Sequence, residues 1–329
     1  RWYTGSGIYR NVVLTVLDEV HIPVWSVNIT NSAISDTGST AQISFRVRNT
    51  SATEFNGKVD MEILAPDGSE VFAGAQDIQL QGESDIEIAK TVSVKNPSLW
   101  SPSSPALYKA IFTLTSNGKK HDQYIQAFGI RSIEITAEKG FLLNGIPMEL
   151  KGGCVHHDNG LLGSAAFDRA EERKVQIMKN NGFNAIRTSH NPPSQAFLDA
   201  CDRIGMMIID ETFDMWERPK NPQDYHRFFK EWWKKDVEAM IMRDRNHPCI
   251  IMWSIGNEIN ERADTSGIRI AKAIIDHIQQ FDNTRPFTNA ICDFWDIPGT
   301  PWEVTSDAFS ILTVGGYNYQ YPRYEADHE

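Results

Sequence analysis

Polar and charged side chains cluster at five places in the second half of the sequence, each directly after a short apolar run. The five clusters are 156–158 (HHD), 187–191 (RTSHN), 210–211 (DE), 257–258 (NE) and 317–319 (YNY). Together they supply carboxylates, amides, imidazoles, a guanidinium and phenol rings. Such groups are suited to hydrogen bonding and stacking against a ring that carries many hydroxyl groups.

Glu258 is the carboxylate best placed for general acid catalysis, because it follows the apolar run 250–256 (IIMWSIG), which would hold it in a partly dry site. Cleavage of a glycosidic bond needs two carboxyl groups, one to protonate the leaving oxygen and one to meet the positive charge on the sugar. Neither GxGxxG, GxxxxGK[ST] nor GxSxG occurs, so the residues do not indicate a nucleotide-binding protein or a serine hydrolase.

A parallel sheet would bring these clusters to one edge, and the sequence beyond residue 134 has the required pattern. Six short apolar runs alternate with amphipathic segments there. The runs are 149–155, 183–187, 206–209, 249–253, 285–289 and 311–315. Strands that are covered on both faces have this continuous apolar pattern, and ligands bind at their carboxyl ends. Periodicity alone fits a doubly wound sheet as well as a barrel.

Three amphipathic helices are predicted between these strands. One begins after the N-cap residue Ser194 and ends at Gly205. The apolar stripe of another is Phe167, Ala170, Ile177 and Met178, and that of the third is Ile268, Ala271, Ile275 and Ile278.

Residues 20–133 instead alternate apolar and polar side chains in short runs, which are 41–48, 57–64, 86–94 and 108–114. A period of two places one face of each strand in a core, and turn sequences separate the runs. This part is therefore predicted to be an antiparallel, immunoglobulin-like β-sandwich that acts as a spacer.

Length and composition agree with this division. The chain has 329 residues, of which 41% are apolar and 23% charged, so it should form two globular domains rather than a coiled coil or a disordered chain. The formal charge of −11 disfavours nucleic acid or an anionic membrane as a partner, and no apolar run is long enough to cross a membrane.

The first residues carry no signal-peptide pattern and no initiating Met, so we expect an internal piece of a longer chain whose export signal, if any, would precede it. The compartment is therefore left open between the cytoplasm and an extracytoplasmic location in a bacterium. The four cysteines, at 154, 201, 249 and 292, have no metal-site spacing and are predicted to be buried free thiols.

Five sequence motifs resemble those of glycoside hydrolase family 2, which includes β-galactosidases and β-glucuronidases. The segment 252–258 (MWSIGNE) is similar to the family's acid/base signature. Three others are similar to its first, second and third barrel-strand motifs: 151–158 (KGGCVHHD), 184–193 (NAIRTSHNPP) and 210–216 (DETFDMW). The segment 2–10 (WYTGSGIYR) resembles the last strand of the family's N-terminal sugar-binding jelly roll.

The resemblance implies a fold and three segments. Residues 1–19 would contain the last jelly-roll strand, 20–133 the immunoglobulin-like β-sandwich, and 134–329 a TIM (β/α)8 barrel that is incomplete after its sixth strand. The fold class is thus multidomain, β followed by α/β.

The resemblance also implies roles for particular residues. Glu258 would be the acid/base, Asn257 would bind the 2-hydroxyl group, and Arg187 would support the carboxylate pair. Tyr319, or alternatively Tyr317, would correspond to the tyrosine that hydrogen-bonds the nucleophile. The residues that would contact the sugar are His156, Asp158, His190, Asp214 and Trp216.

Two further features of the sequence are Trp253 and the cluster at 156–158. Trp253 fits a core-packing role as well as that of a sugar platform. A zinc site at 156–158 is rejected, because adjacent residues on a strand point to opposite faces. The acidic and histidine ligands that bind magnesium in some β-galactosidases are not evident after Glu211, so we expect no required metal or cofactor.

The family's nucleophile is a glutamate at the end of the seventh barrel strand, and the sequence ends just past the sixth. Residues 134–329 are about two units short of the roughly 250 residues of a full barrel. Glu325 and Glu329 lie in a polar tail and are not candidates for this role. The sequence is therefore predicted to be a fragment that lacks the nucleophile and is inactive alone.

The residues by themselves would pair Glu258 with Glu211, which lies at a neighbouring strand end, as the two carboxyl groups of a retaining enzyme. We reject this pairing as the main interpretation. Glu211 is instead predicted to form an ion pair with Arg187.

The full-length protein is thus predicted to be a retaining β-glycosidase that acts by double displacement on a terminal sugar. A β-galactoside is preferred over a β-glucuronide because no additional basic residue is evident for a uronate carboxylate. The alternatives are a non-catalytic carbohydrate-binding protein and, less consistent with the five clusters, a β-sandwich adhesion module with an α/β scaffold. The expected partner is a carbohydrate, with homo-oligomer formation by the full-length enzyme left open.

Overall fold

A computed structural model describes residues 8–328 as seventeen strands and six α-helices. The strands are β1 (Val20–His21), β2 (Asn28–Ser32), β3 (Gly38–Asn49), β4 (Phe55–Leu64), β5 (Glu70–Leu80), β6 (Ser84–Lys95), β7 (Tyr108–Ser116), β8 (Lys119–Phe128), β9 (Ile133–Thr136), β10 (Gly140–Leu143), β11 (Ile146–Pro147), β12 (Gly152–His156), β13 (Ala185–Ser189), β14 (Met207–Glu211), β15 (Ile250–Asn257), β16 (Phe287–Ile291) and β17 (Val314–Tyr317). The helices are α1 (Asp168–Asn180), α2 (Gln195–Ile204), α3 (His226–Asp244), α4 (Thr265–Ile278), α5 (Ser306–Ser310) and α6 (Tyr324–His328).

Strands β1 to β8 form two antiparallel four-stranded sheets that pack face to face. In one sheet β3 pairs with β1, β2 and β6, and the other has the order β5-β4-β7-β8. Buried and exposed residues alternate along β3 and β4, as the period of two in the sequence requires. The core between the sheets is continuous and includes Phe45, Val59, Ile88 and Phe112. The predicted sandwich is confirmed.

Strands β12 to β17 form one six-stranded parallel sheet whose spatial order equals their order in the chain. A doubly wound sheet would reverse direction at a switch point, whereas a barrel adds each strand beside the last. The observed order is that of an incomplete TIM barrel. A small antiparallel sheet, β9 to β11, lies between this sheet and the sandwich in the chain.

Helix α2 has the predicted ends. The Ser194 hydroxyl oxygen accepts a hydrogen bond from the Phe197 N–H, and Gly205 has the left-handed conformation at the C-terminus. The predicted stripe of α1 is wrong in part, because Phe167 and Ile177 are exposed. Phe167 is the N-cap residue and precedes the helix, so helical spacing does not apply to it.

Three of the four cysteines are buried free thiols as predicted, namely Cys201, Cys249 and Cys292. Cys154 is an exception, because its side chain lies on the exposed side of β12. The predicted jelly-roll strand falls partly on residues 1–7, which lie outside the described residues. Residues 8–19 contain no strand, and the assignment of 1–19 remains a prediction.

No helix within residues 8–328 combines the length and apolar character that a membrane crossing requires.

Candidate functional site

The parallel register brings the predicted clusters to one edge of the sheet. His156 pairs with Ser189, Glu211 with Ser254, and Ile291 with Tyr317, so the carboxyl ends of the strands are level. This edge is where β/α folds bind their ligands.

Arg187 and Glu211 form the buried centre of the site. The Arg187 Nε donates to Glu211 Oε2 at 2.7 Å, and its Nη2 donates to Oε1 at 3.0 Å. His190 Nδ1 donates to Oε1 at 2.6 Å, and the Ser254 hydroxyl donates to Oε2 at 2.6 Å. Glu211 has no exposed surface, and four hydrogen bonds occupy both of its oxygens. The predicted ion pair of Arg187 with Glu211 is present.

Asn257 lies next to this pair, and its amide is oriented by three side chains. Its Oδ1 accepts from Arg187 Nη2 at 2.7 Å and from Asn318 Nδ2 at 3.0 Å, and its Nδ2 donates to Asp214 Oδ1 at 2.9 Å. The Lys220 ammonium donates to Asp214 Oδ1 at 2.7 Å and to the Asn257 carbonyl at 2.8 Å. These contacts use one of the two amide hydrogens of Asn257.

Glu258 is only partly buried and lies at the end of β15 in a left-handed conformation, with φ of 50°. Its backbone N–H donates to the Ala290 carbonyl at 2.7 Å, which fixes the strand end. Asn318 Nδ2 donates to its carboxylate at 2.8 Å, and the Tyr319 hydroxyl also donates to it. These contacts hold a carboxyl group at the open edge of the sheet, where a general acid or base must lie.

The Glu258 carboxylate raises the pKa of Tyr319 through this hydrogen bond. Tyr319 therefore stays protonated and remains a donor at neutral pH.

His156 and Asp158 lie on the same edge, at and after the end of β12. The His156 ring contacts the His190 ring edge-on at a centroid distance of 5.3 Å. Partial burial and the nearby His190 lower the pKa of His156, while the charge of Asp158 opposes this change. His156 is thus neutral near pH 7, as a hydrogen-bonding imidazole would be.

Three side chains that were candidates for the site point away from it. They are Trp253, Tyr317 and Trp216. Trp253 is fully buried and donates from Nε1 to Asp282 at 2.8 Å, because the neighbouring Ser254 points inward and side chains alternate. Trp253 therefore packs in the core. Tyr317 stacks on Phe309 at 4.8 Å, since its neighbour Asn318 is the residue that faces Glu258.

Trp216 is the third side chain that points away from the site. Only 1% of its surface is exposed, and its Nε1 donates to the Ile255 carbonyl at 3.0 Å. It anchors the segment after β14 and does not face the edge of the sheet.

Three residues of the network were not predicted as site residues: Ser254, Asn318 and Lys220. Strand alternation could have indicated Ser254, and Asn318 lies inside one of the clusters. Lys220 follows β14 in an irregular segment, so no periodic pattern could have indicated it.

A cavity of about 670 Å³ opens beside the network, and His190 and Asp214 contribute to its wall. The rest of the wall includes Phe213 and Met215 from the segment after β14, Val237 and Met240 of α3, and Tyr9 and Arg10.

Among residues 8–328, Asp202, His247 and Cys249 form the single group whose ligand atoms could hold a metal ion. This group is buried at the amino-terminal end of β15, away from Glu258. Asp202 already accepts from His247 Nδ1 at 2.6 Å and from the Cys249 N–H at 3.0 Å, so its oxygens are engaged within the protein.

A β-sandwich followed by a β/α barrel whose open edge carries carboxylates, amides and imidazoles is the arrangement of a multidomain glycoside hydrolase. The family model "Glycosyl hydrolases family 2, TIM barrel domain" matches residues 133–326, and "Glycosyl hydrolases family 2" matches residues 20–131. The chain belongs to glycosyl hydrolase family 2.

Individual relatives agree with this assignment. The β-galactosidase BoGH2A of Bacteroides ovatus is 39% identical over 280 residues, which cover 84% of this chain and 33% of that protein. A crystal structure of a family 2 member from Bacteroides cellulosilyticus matches this chain with a TM-score of 0.91 and 40% sequence identity. The match covers 99% of this chain and 43% of that chain.

A third relative is Bacteroides uniformis β-glucuronidase 2, covalently bound to cyclophellitol-6-carboxylate aziridine. Its TM-score is 0.84 at 26% identity, with 96% of this chain and 39% of that chain covered. The chain thus spans about a third to two fifths of the length of these three relatives.

Proposed function

We propose that the protein containing this chain is a retaining β-glycosidase that removes terminal sugars by double displacement, with Glu258 as the acid/base. The observation that carries this proposal is the position of Glu258 at the strand end beside Asn257, with Asn318 and Tyr319 bonded to its carboxylate. A carboxyl group there can protonate a glycosidic oxygen and later activate water.

The nucleophile is proposed to lie outside residues 1–329. Glu211 is a poor nucleophile because four donors engage its two oxygens and no part of it is exposed. A covalent inhibitor complex of the Bacteroides uniformis relative is consistent with a covalent intermediate.

The remaining residues of the site are assigned to sugar binding. Asn257 would bind the 2-hydroxyl group with its free amide hydrogen, and His156, Asp158 and His190 would bind other hydroxyl groups. Asp214 would also contact the sugar, in addition to its bonds to Asn257 and Lys220.

A β-galactoside is the proposed substrate and a β-glucuronide the second candidate. Arg187 and Lys220, the basic residues of the network, are each paired with a carboxylate, namely Glu211 and Asp214. Both would have to exchange partners to bind a uronate. The relatives include a protein named β-galactosidase and one named β-glucuronidase, so each outcome has precedent in the family.

Domain limits are proposed from the sheets and the family models together. Residues 20–133 would be the sandwich and 134–329 the barrel segment, with 1–19 belonging to a preceding domain.

The test is Glu258→Gln in the full-length protein, assayed with p-nitrophenyl β-galactoside and p-nitrophenyl β-glucuronide. We expect kcat to fall about 10²- to 10⁴-fold on the preferred substrate, because an amide in place of the Glu258 carboxylate cannot activate the water that releases the sugar from the enzyme. Azide should then restore turnover and yield a β-glycosyl azide.

The matched control is Glu149→Gln, since Glu149 is an exposed glutamate at the opposite end of the sheet. Unchanged activity in Glu258→Gln would reject the acid/base assignment. Sugar binding without hydrolysis by the wild type would favour a non-catalytic carbohydrate-binding protein.

A further inference from the structure

Two exposed aromatic side chains lie beside Glu258. Trp295 is 57% exposed and Tyr319 is 69% exposed. Their rings meet at a centroid distance of 5.9 Å and an angle of 70°, and the Tyr319 hydroxyl donates to the Glu258 carboxylate. Trp295 is therefore one ring away from the group that is assigned to protonate the leaving oxygen.

The segment that carries Trp295 is held in place by Arg262, which is 3% exposed. The Arg262 Nε donates to the Cys292 carbonyl at 3.2 Å, and its Nη2 donates to the Asp293 carbonyl at 2.8 Å. The same guanidinium forms an ion pair with Asp296. Bonds on both sides of Trp295 thus fix the backbone that presents the indole.

The guanidinium also contributes to the position of the rings directly. It lies 4.5 Å from the centroid of Phe294 and 5.9 Å from that of Trp295, within the range of cation–π contacts. A buried cation that both bonds the backbone and contacts the ring gives Trp295 a defined orientation.

Position relative to the acid distinguishes Trp295 from other exposed aromatic residues, which are common on protein surfaces. A general acid must lie within hydrogen-bond distance of the oxygen that it protonates. The leaving group is attached to that oxygen, so it extends from Glu258 on the open side of the sheet. An aromatic ring beside Glu258 can contact the leaving group without contacting the sugar that is cleaved off.

We propose that Trp295, supported by Tyr319, forms the binding platform for the leaving group and selects substrates whose leaving group is a sugar ring or an aromatic ring. This inference rests on the proposed glycosidase function and specifies its substrate class. Flat apolar faces of sugars and aryl groups pack against an indole, whereas a small leaving group gains little from it.

The test compares leaving groups at a constant glycone in the full-length protein. The glycone is the sugar whose glycosides the wild type hydrolyses. The three probes carry this sugar linked to p-nitrophenol, linked β-1,4 to glucose, or as its glycosyl fluoride. We expect Trp295→Ala to lower kcat/KM about tenfold for the first two probes and less than twofold for the fluoride. Trp295→Phe should retain most of the activity.

Trp232→Ala is the matched control, because Trp232 is 41% exposed on α3 and is covered by Lys235 at 4.6 Å. We expect it to leave all three rates unchanged. An equal fall for all three probes in Trp295→Ala would assign Trp295 a structural role and reject the platform. If the wild type hydrolyses none of the three probes, whether the glycone is galactose or glucuronic acid, both the proposed glycosidase function and the platform are rejected.

Discussion

Three neighbouring side chains determine the orientation of the Asn257 amide. Two donors, Arg187 and Asn318, meet its amide oxygen, and the Asp214 carboxylate meets its amide nitrogen. Reversal of the amide would place donors against donors and an oxygen against a carboxylate. The free amide hydrogen therefore points in one direction only, which is a requirement for precise binding of a hydroxyl group.

The first residue-scale prediction concerns the contacts that Asp214 and Lys220 make with Asn257. Asp214→Ala removes the acceptor that orients the amide, and Lys220→Met removes the ammonium that bridges Asp214 and the Asn257 carbonyl. We expect either change to lower kcat/KM about 10- to 100-fold on a substrate with a 2-hydroxyl group, since the amide hydrogen is misplaced.

A 2-deoxy glycoside separates positioning from general damage to the fold. Because it has no 2-hydroxyl group, the variants should hydrolyse it nearly as fast as the wild type does. Asp276→Ala, on the exposed side of α4, is the matched control and should affect neither substrate. A similar loss on both substrates would show that Asp214 and Lys220 do not act through the 2-hydroxyl contact.

Residue types and their position after apolar runs were sufficient to predict much of this site. Glu258, Asn257, Arg187 and His190 lie within one bonded network at the sheet edge. The direction of the Trp253 side chain could not be predicted, because a run buried on both faces does not reveal which side chains point inward. The register shift between Ser254 and Asn257 also breaks strict alternation, and this irregularity has no signature in the sequence.

At the scale of elements, helix ends that are set by residues of the same helix were predicted best. The Ser194 cap and Gly205 define both ends of α2 because each satisfies backbone groups of that helix alone. Gly205 has a second reason to be glycine, since a side chain there would meet the Pro102 carbonyl. This contact joins the barrel to a distant loop, and the sequence gives no indication of it.

The segment that links α3 to β15 also joins the two domains. Asn246 accepts from the Ile29 N–H and donates to the Val27 carbonyl, both at 2.9 Å. Arg131 donates to the carbonyls of Pro248 and Ile250, each at 2.5 Å. Side chains and backbone of one short segment therefore fix how the sandwich lies against the barrel.

The second prediction concerns His247, which lies in the same segment and is 7% exposed. Burial opposes its charge, but the Asp202 carboxylate outweighs burial and raises the pKa of His247 from 6.5 to about 9. The folded state thus holds a proton that the unfolded state releases above pH 6.5. The ion pair stabilises fully below pH 6.5, and this stabilisation is lost as the pH rises through 9.

We expect His247→Gln to lower the free energy of unfolding by about 1–3 kcal/mol at pH 6, with a smaller difference at pH 9.5. Urea unfolding followed by tryptophan fluorescence at both pH values measures this. His277→Gln is the control, because the partly buried His277 ring bonds the backbone carbonyl of Lys234 rather than a carboxylate. A difference between wild type and His247→Gln that does not shrink with pH would contradict a charged His247.

At the scale of the whole molecule, the parallel sheet is open at both edges within the described residues. β12 pairs only with β13, and β17 pairs only with β16. Unpaired strand edges tend to associate with other strands, and a closed barrel removes them by adding further strands. The retaining mechanism places its second carboxyl group about 5–5.5 Å from the first. Under the proposed function, strands outside residues 1–329 would both close the sheet and supply that group.

The last prediction follows from this double requirement and concerns where a mechanism-based inhibitor reacts. A 2-fluoro glycosyl fluoride should label the full-length protein at one carboxylate outside residues 1–329, because Glu211 is buried and engaged by four donors. The chain of 329 residues alone should be neither labelled nor active. Peptide mass spectrometry after proteolysis identifies the labelled carboxylate. Labelling at Glu211 would make it the nucleophile and would mean that these six strands already contain the complete catalytic pair.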